Sequence, residues 1–150
     1  MSTDRHAAPS LIGHARQYDA LRSAFVRGQL AHALLFSGPA RVGKMAVALR
    51  LAAHALHTED NVALHPDFTL VERGHDAKTG KLRSAVTIEQ VRSARGRLEQ
   101  SALVGAWKVA VIDGADELAA PAANALLKTL EEPAPRTLLI LIAASDRDVL

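Results

Sequence analysis

The chain has 150 residues, 49% of them hydrophobic and 23% charged, with a formal net charge of +2. Those values describe one globular domain with enough apolar material for a core, rather than a disordered chain. A charge of +2 is too small to argue nucleic-acid binding by itself, and the lack of cysteine excludes disulfides and thiolate metal sites.

The first ten residues, MSTDRHAAPS, are polar and read as a disordered start rather than a secretory signal. Nothing later approaches the roughly 18 apolar residues of a membrane span, so a cytoplasmic protein with no membrane partner is expected. Leu11 to His14 lead into a helical pattern with Tyr18, Leu21 and Phe25 on one face, and Gly28 is placed to end it. Ala33-Leu34-Leu35-Phe36 reads as a buried strand. From Val42 towards His57, Met45, Leu49, Ala52 and Leu56 recur at helical spacing.

Between strand and helix lies SGPARVGKM, Ser37 to Met45. Gly38, Gly43 and Lys44 fall at the spacing of a phosphate-binding loop, in the strand–loop–helix setting it requires. There the backbone N–H groups and the helix start cradle phosphate oxygens, and the lysine reaches the terminal phosphates. A Ser or Thr should follow the lysine, because its hydroxyl ligates Mg²⁺. Here the residue is Met45, and a thioether is a poor partner for a hard, oxygen-seeking cation. A tight glycine turn that never meets phosphate fits the same residues.

The polar cluster Thr58-Glu59-Asp60-Asn61 ends the helix near His57. His54, His57 and His65 invite a metal reading, but no Cys or carboxylate completes a tetrahedral set. His54 therefore reads as a helix-surface or half-buried residue. Asp67 to Glu72 alternates and is rich in β formers, giving a second strand. The stretch from Arg73 to Ser84 carries Arg73, Lys78, Lys81 and Arg83 and reads as a loop or short β-excursion. Thr87 then caps a helix, with Gln90 as its capping-box partner. Ile88, Val91, Leu98 and Ala102 share a face, while Arg92, Arg95 and Arg97 lie off it. That basic surface suits either DNA phosphate or plain solvent.

Trp107 to Ile112 is an apolar strand broken only by Lys108, and it closes on Asp113. An acid at that point is the second half of a nucleotide site, where it holds Mg²⁺. The glutamate that often follows, placed to activate water, is replaced by Gly114. Asp116 reads as the start or cap of the next turn. Pro121 suits a helix's first turn, and Glu131-Glu132-Pro133 stops that helix. Residues 137–144 form another apolar strand, closed by Ser145-Asp146. Strands and helices alternate throughout, the signature of a parallel sheet with right-handed crossovers.

LAHALLFSGPARVGK (30–44), HPDFTLVE (65–72), IEQVR (88–92), VAVIDGADEL (109–118) and ANALLKTLEEPAPRTLLILIA (123–143) come in one order. Together they resemble the ATPase-like N-terminal module of bacterial DNA polymerase III clamp-loader subunits, δ′ most of all, from about Leu11 onward. The resemblance implies an AAA+ P-loop α/β fold, with a parallel sheet ordered 5-1-4-3-2 and flanked by helices. Four strands are counted near 33–37, 67–72, 107–113 and 137–144; the fifth would follow Leu150. The implied layout is a disordered 1–10 and an ATPase-like domain at 11–150, cut short before its last strand, without lid or collar.

By match, Gly38, Gly43 and Lys44 form the Walker A loop, Asp113 is the Walker B acid, and Ser145 lies at or near the sensor position. Relatives often carry a four-cysteine zinc module before the second strand. Residues 58–63 replace it here, so no zinc is expected. The family's trans-acting arginine would lie beyond Leu150. Hydrolysis needs both a metal and a water-orienting residue, so Met45 and Gly114 imply a non-hydrolysing δ′-like subunit. It would need no cofactor and would bind ATP or phosphate weakly at most. The implied partners are the other subunits of a hetero-pentamer, with the sliding clamp and primed DNA met through the assembled complex. The alternative is an ATP-hydrolysing γ/τ-like subunit, with Asp116 or water making good the losses. A small-molecule kinase fits less well, because the 123–133 block has no place in it.

Overall fold

The computed structural model describes residues 13–145. The expected disordered start, Leu11, Ile12 and Asp146 lie outside the described residues. In chain order the elements are α1 (Ala15–Val26), β1 (Ala33–Ser37), α2 (Lys44–Ala55), β2 (Phe68–Val71), α3 (Ile88–Glu99), β3 (Lys108–Asp113), α4 (Ala120–Glu131) and β4 (Thr137–Ala143). Short 3₁₀ turns at Val62–Leu64 and Ala115–Glu117 complete the path.

All three strand pairings are parallel, and the sheet order is β1-β4-β3-β2. This is the 1-4-3-2 portion of the expected order. Side chains alternate across the sheet because successive residues of a strand point to opposite faces. Val109, Val111, Leu138, Ile140 and Ile142 join Leu49 and Leu51 of α2 on one face, with Tyr18, Leu21 and Phe25 of α1 packed against them. Ala110, Ile112, Leu139 and Leu141 join Val91, Ala94 and Leu98 of α3 and Leu126 of α4 on the other. Every residue of β4 is buried, as expected for a central strand covered on both faces.

Local chemistry sets the helix ends. After α1, the Gly28 N–H bonds the Phe25 carbonyl and the Gln29 N–H bonds the Ala24 carbonyl, with Gly28 at φ +68°. That is a Schellman ending, and glycine adopts it without steric cost. Pro121 sits in the first turn of α4 as expected. At α3 the Thr87 hydroxyl accepts from the Gln90 N–H while the Gln90 side chain accepts from the Thr87 N–H, a complete capping box. Thr87→Ala is expected to cost about 1 kcal/mol. The reading is a lower urea midpoint with unchanged m value; an unmoved midpoint would count against the box.

One expectation changes. Ala102 does not share the apolar face of α3, because the helix ends at Glu99; Ala94 joins Val91 and Leu98 on the buried face. Of the two readings of residues 73–84, the short β-excursion is the one that forms. His75 and Leu82 bridge antiparallel, and the Asp76 carboxylate accepts the Lys78 and Thr79 N–H groups at the turn. Of the three arginines off the α3 face, Arg95 pairs with Glu99 at 2.8 Å and Arg97 donates to the Pro66 carbonyl. Arg92 is exposed.

Candidate functional site

A parallel sheet gathers the loops that follow its strands at one edge, and that edge carries the candidate site. The register places Ser37 beside Ala143 and Asp113 beside Ile142, so the loops after β1, β3 and β4 meet. Together with the segment after β2 they enclose a cavity of about 470 Å³. Gly43, Lys44 and Asp113 line it, with Met45 and Gly114 beside them. Gly38 lies outside the lining but belongs to the same loop. Its carbonyl accepts a hydrogen bond from the Lys44 ammonium, which also donates to the Ala143 carbonyl at 2.9 Å.

Backbone conformation explains the loop glycines. Gly43 sits at φ +100°, a backbone conformation that strains a side chain, and a Cβ there would come into contact with the His14 ring at 3.4 Å. Gly114 sits at φ +84°, a left-handed conformation in which a side chain is strained. His14, just before α1, donates from Nε2 to the Val42 carbonyl and so ties the loop from outside.

Asp116 is corrected. Gly114, not Asp116, precedes the 3₁₀ turn, and the Asp116 carboxylate reaches across to β4. There it accepts the N–H groups of Ala144 and Ser145 at 3.1 and 3.2 Å. Ser145, expected at the sensor position, is thus held by its backbone next to the cavity. Sequence reasoning missed Arg41, Arg73 and Glu117, which also line the cavity. Arg73 approaches Glu117 at 3.9 Å. The available signal was position: Arg73 follows β2 by two residues, at the same sheet edge as the loop.

Mg²⁺ does not fit the donor set expected of it. The position after Lys44 offers the Met45 thioether instead of a hydroxyl oxygen, and Gly114 carries no carboxylate. The three histidines weighed as metal ligands have other surroundings. His54 is half-buried and lies edge-on to Phe25 at 5.7 Å, and His65 Nδ1 accepts the Asp67 N–H. Burial, Arg22 and His57 all lower the His54 pKa. No group of three or more His, Asp or Glu side chains among the described residues could hold a metal.

At the opposite edge of the sheet lies a polar pair that sequence reading passed over. Asp67 is only 7% exposed and accepts the backbone N–H groups of Leu103, Val104 and Gly105 at 2.6, 2.9 and 3.1 Å. Lys108, equally buried, donates to the Leu98 and Gln100 carbonyls at the end of α3. Burial lowers its pKa, and Asp67 opposes that shift.

A four-stranded parallel sheet of this order, with a glycine-rich loop between its first strand and the following helix, defines a P-loop α/β module of AAA+ type. The family described as DNA polymerase III, delta subunit, matches residues 13–150. The chain belongs to this family of DNA polymerase III clamp-loader subunits. It is 36% identical over 132 residues to DNA polymerase III subunit delta′ of Pseudomonas aeruginosa, covering 78% of this chain and 38% of that protein. It is 32% identical over 143 residues to subunit tau of Escherichia coli, covering 91% of this chain and 22% of that one. The chain thus spans well under half the length of these relatives. A DNA polymerase III, gamma subunit-related protein from Thermotoga maritima shares the fold, with a TM-score of 0.68 at 18% identity, over 89% of this chain and 41% of that one. No helix among the described residues is long and apolar enough to cross a membrane.

Proposed function

We propose that the chain is the P-loop module of a non-hydrolysing, δ′-like clamp-loader subunit, which helps load the sliding clamp onto primed DNA during replication. Its part in the ring is structural: the sheet and helices dock against ATP-binding neighbours, and DNA is met through the complex. One observation carries this reading. The cavity that holds Lys44 and Asp113 presents a thioether and a bare glycine at the two positions where hydrolysis needs an oxygen ligand and a base. Either loss weakens turnover, and both occur in one site. The likeness to subunit delta′ of Pseudomonas aeruginosa supports it.

The second reading, an ATP-hydrolysing γ/τ-like subunit, has one observation in its favour. Asp116 and Glu117 bring two further carboxylates to the same cavity. Both are engaged, Asp116 with two N–H groups and Glu117 with Arg73. The test is a clamp loader reconstituted with this protein as the only subunit whose phosphate loop is left intact. No phosphate release above background is expected on primed DNA with the clamp present. Sustained release from that complex would establish the second reading.

A further inference from the structure

Residues 73–84 carry four cations, Arg73, Lys78, Lys81 and Arg83, against a single carboxylate, Asp76. The β-excursion they form leaves the end of β2, an edge strand of the sheet. Two backbone bonds fix its register. The Asp76 N–H donates to the Lys81 carbonyl and the Arg83 N–H to the Gly74 carbonyl, both at 2.8 Å. These bonds flank the His75–Leu82 pair, so His75 and Leu82 share one face while Lys81 and Arg83 share the other. Lys78 stands in the turn, and all three cations are exposed. Asp76 spends its carboxylate on that turn, accepting the Lys78 and Thr79 N–H groups and the Thr79 hydroxyl. The cations thus ride on a support that is ordered before any partner arrives, which lowers the cost of binding. Arg73, drawn aside to Glu117, is not among them.

What such a face binds follows from what it lacks. It carries no Phe, Tyr or Trp, and the large apolar side chain of the excursion, Leu82, lies on the other face. Protein interfaces draw their affinity from buried aromatic and apolar anchors, and single-stranded nucleic acid stacks its bases on aromatic platforms. The phosphate backbone of a duplex needs neither and binds through charge. We propose that the 74–84 excursion is a contact for the phosphate backbone of duplex nucleic acid, made by Lys78, Lys81 and Arg83 without regard to base sequence. The inference rests on the clamp-loader reading above and adds a contact made by this chain itself. Its sharpest consequence concerns Asp76, to which Arg83 lies close enough to favour the ionised carboxylate. Asparagine keeps an oxygen for the turn N–H groups but removes the charge that repels phosphate. Asp76→Asn and the loss of a cation therefore act with opposite signs, whereas a damaged fold would move both the same way.

The experiment follows the anisotropy of a short fluorescein-labelled DNA duplex titrated with the chain at rising KCl concentration. Saturable binding that weakens with salt is expected, equal for duplexes of unrelated sequence. The double variant Lys81→Gln/Arg83→Gln is expected to bind about tenfold more weakly at low salt and to lower the salt slope by about 2. Asp76→Asn is expected to tighten binding several-fold. Melting temperatures equal to that of the wild type tie these changes to the surface. Four results overturn the proposal: no saturable binding, indifference to the double variant with loss in Arg92→Gln instead, weaker binding by Asp76→Asn, or displacement by poly-glutamate as effective as by unlabelled duplex at equal charge. The last would assign the face to an acidic protein partner. Absence of duplex binding sinks this inference alone, whereas phosphate release from ATP sinks the non-hydrolysing reading.

Discussion

Asp67→Ala is expected to destabilise the chain by about 3 kcal/mol, out of a total that for such domains is about 5–15 kcal/mol. The carboxylate is almost wholly buried, and its three donors lie on a single turn before β3. Truncation leaves those N–H groups without an acceptor and leaves Lys108 without the nearby charge that favours its ammonium. The loss is thus a desolvation penalty on several groups rather than one missing bond. Urea unfolding at neutral pH reads it directly. A drop below about 1 kcal/mol would mean that the turn finds other partners or opens to water.

The same residue predicts a pH dependence. Burial works to raise the Asp67 pKa, but the N–H groups of Leu103, Val104 and Gly105, with His65 nearby, outweigh it and leave it below the ordinary value. A depressed carboxylate pKa contributes stability that is complete above the unfolded value, about 3.9, and is lost as pH falls through the folded one. The gap in urea midpoint between wild type and Asp67→Asn should therefore narrow as pH falls below about 4. A constant gap would mean that the charge is not what stabilises the turn.

Ile140→Ala is expected to cost about 4 kcal/mol. Ile140 is fully buried in β4, the strand flanked by both β1 and β3, and its side chain packs among Leu49, Leu51, Val111 and Leu138. The removed methylenes lose their burial, and neighbours fixed by two strand pairings relax little into the void. Leu64→Ala deletes a similar volume where the side chain is 81% exposed, and should stay within about 0.5 kcal/mol. Paired unfolding curves test the contrast. Similar costs at both positions would contradict this placement of the core.

Features written in neighbouring residues are legible in the sequence. The glycine-rich loop, the Thr87 capping box, the Pro121 helix start and the four apolar strands each depend on short spacings, and each forms where expected. Strand order follows from the resemblance, since periodicity alone cannot place β4 between β1 and β3. Contacts set by tertiary packing are the hidden part. Asp67 meets residues 36 to 38 positions away, and Lys108, which reads as an interruption in a strand, closes the end of α3. The local capping rule fails at Asp116 because it competes with a partner 28 residues on. Arg73 reads as part of a basic loop, although the end of β2 delivers it to the cavity.

The most direct measurement of the central claim is a single-turnover assay with the purified chain in excess over radiolabelled ATP and Mg²⁺. No phosphate release above the uncatalysed background is predicted by the proposed non-hydrolysing reading, which takes Met45 and Gly114 as replacing the metal ligand and the base. Release that scales with protein concentration and vanishes in Asp113→Asn would contradict that prediction and make the chain an ATPase.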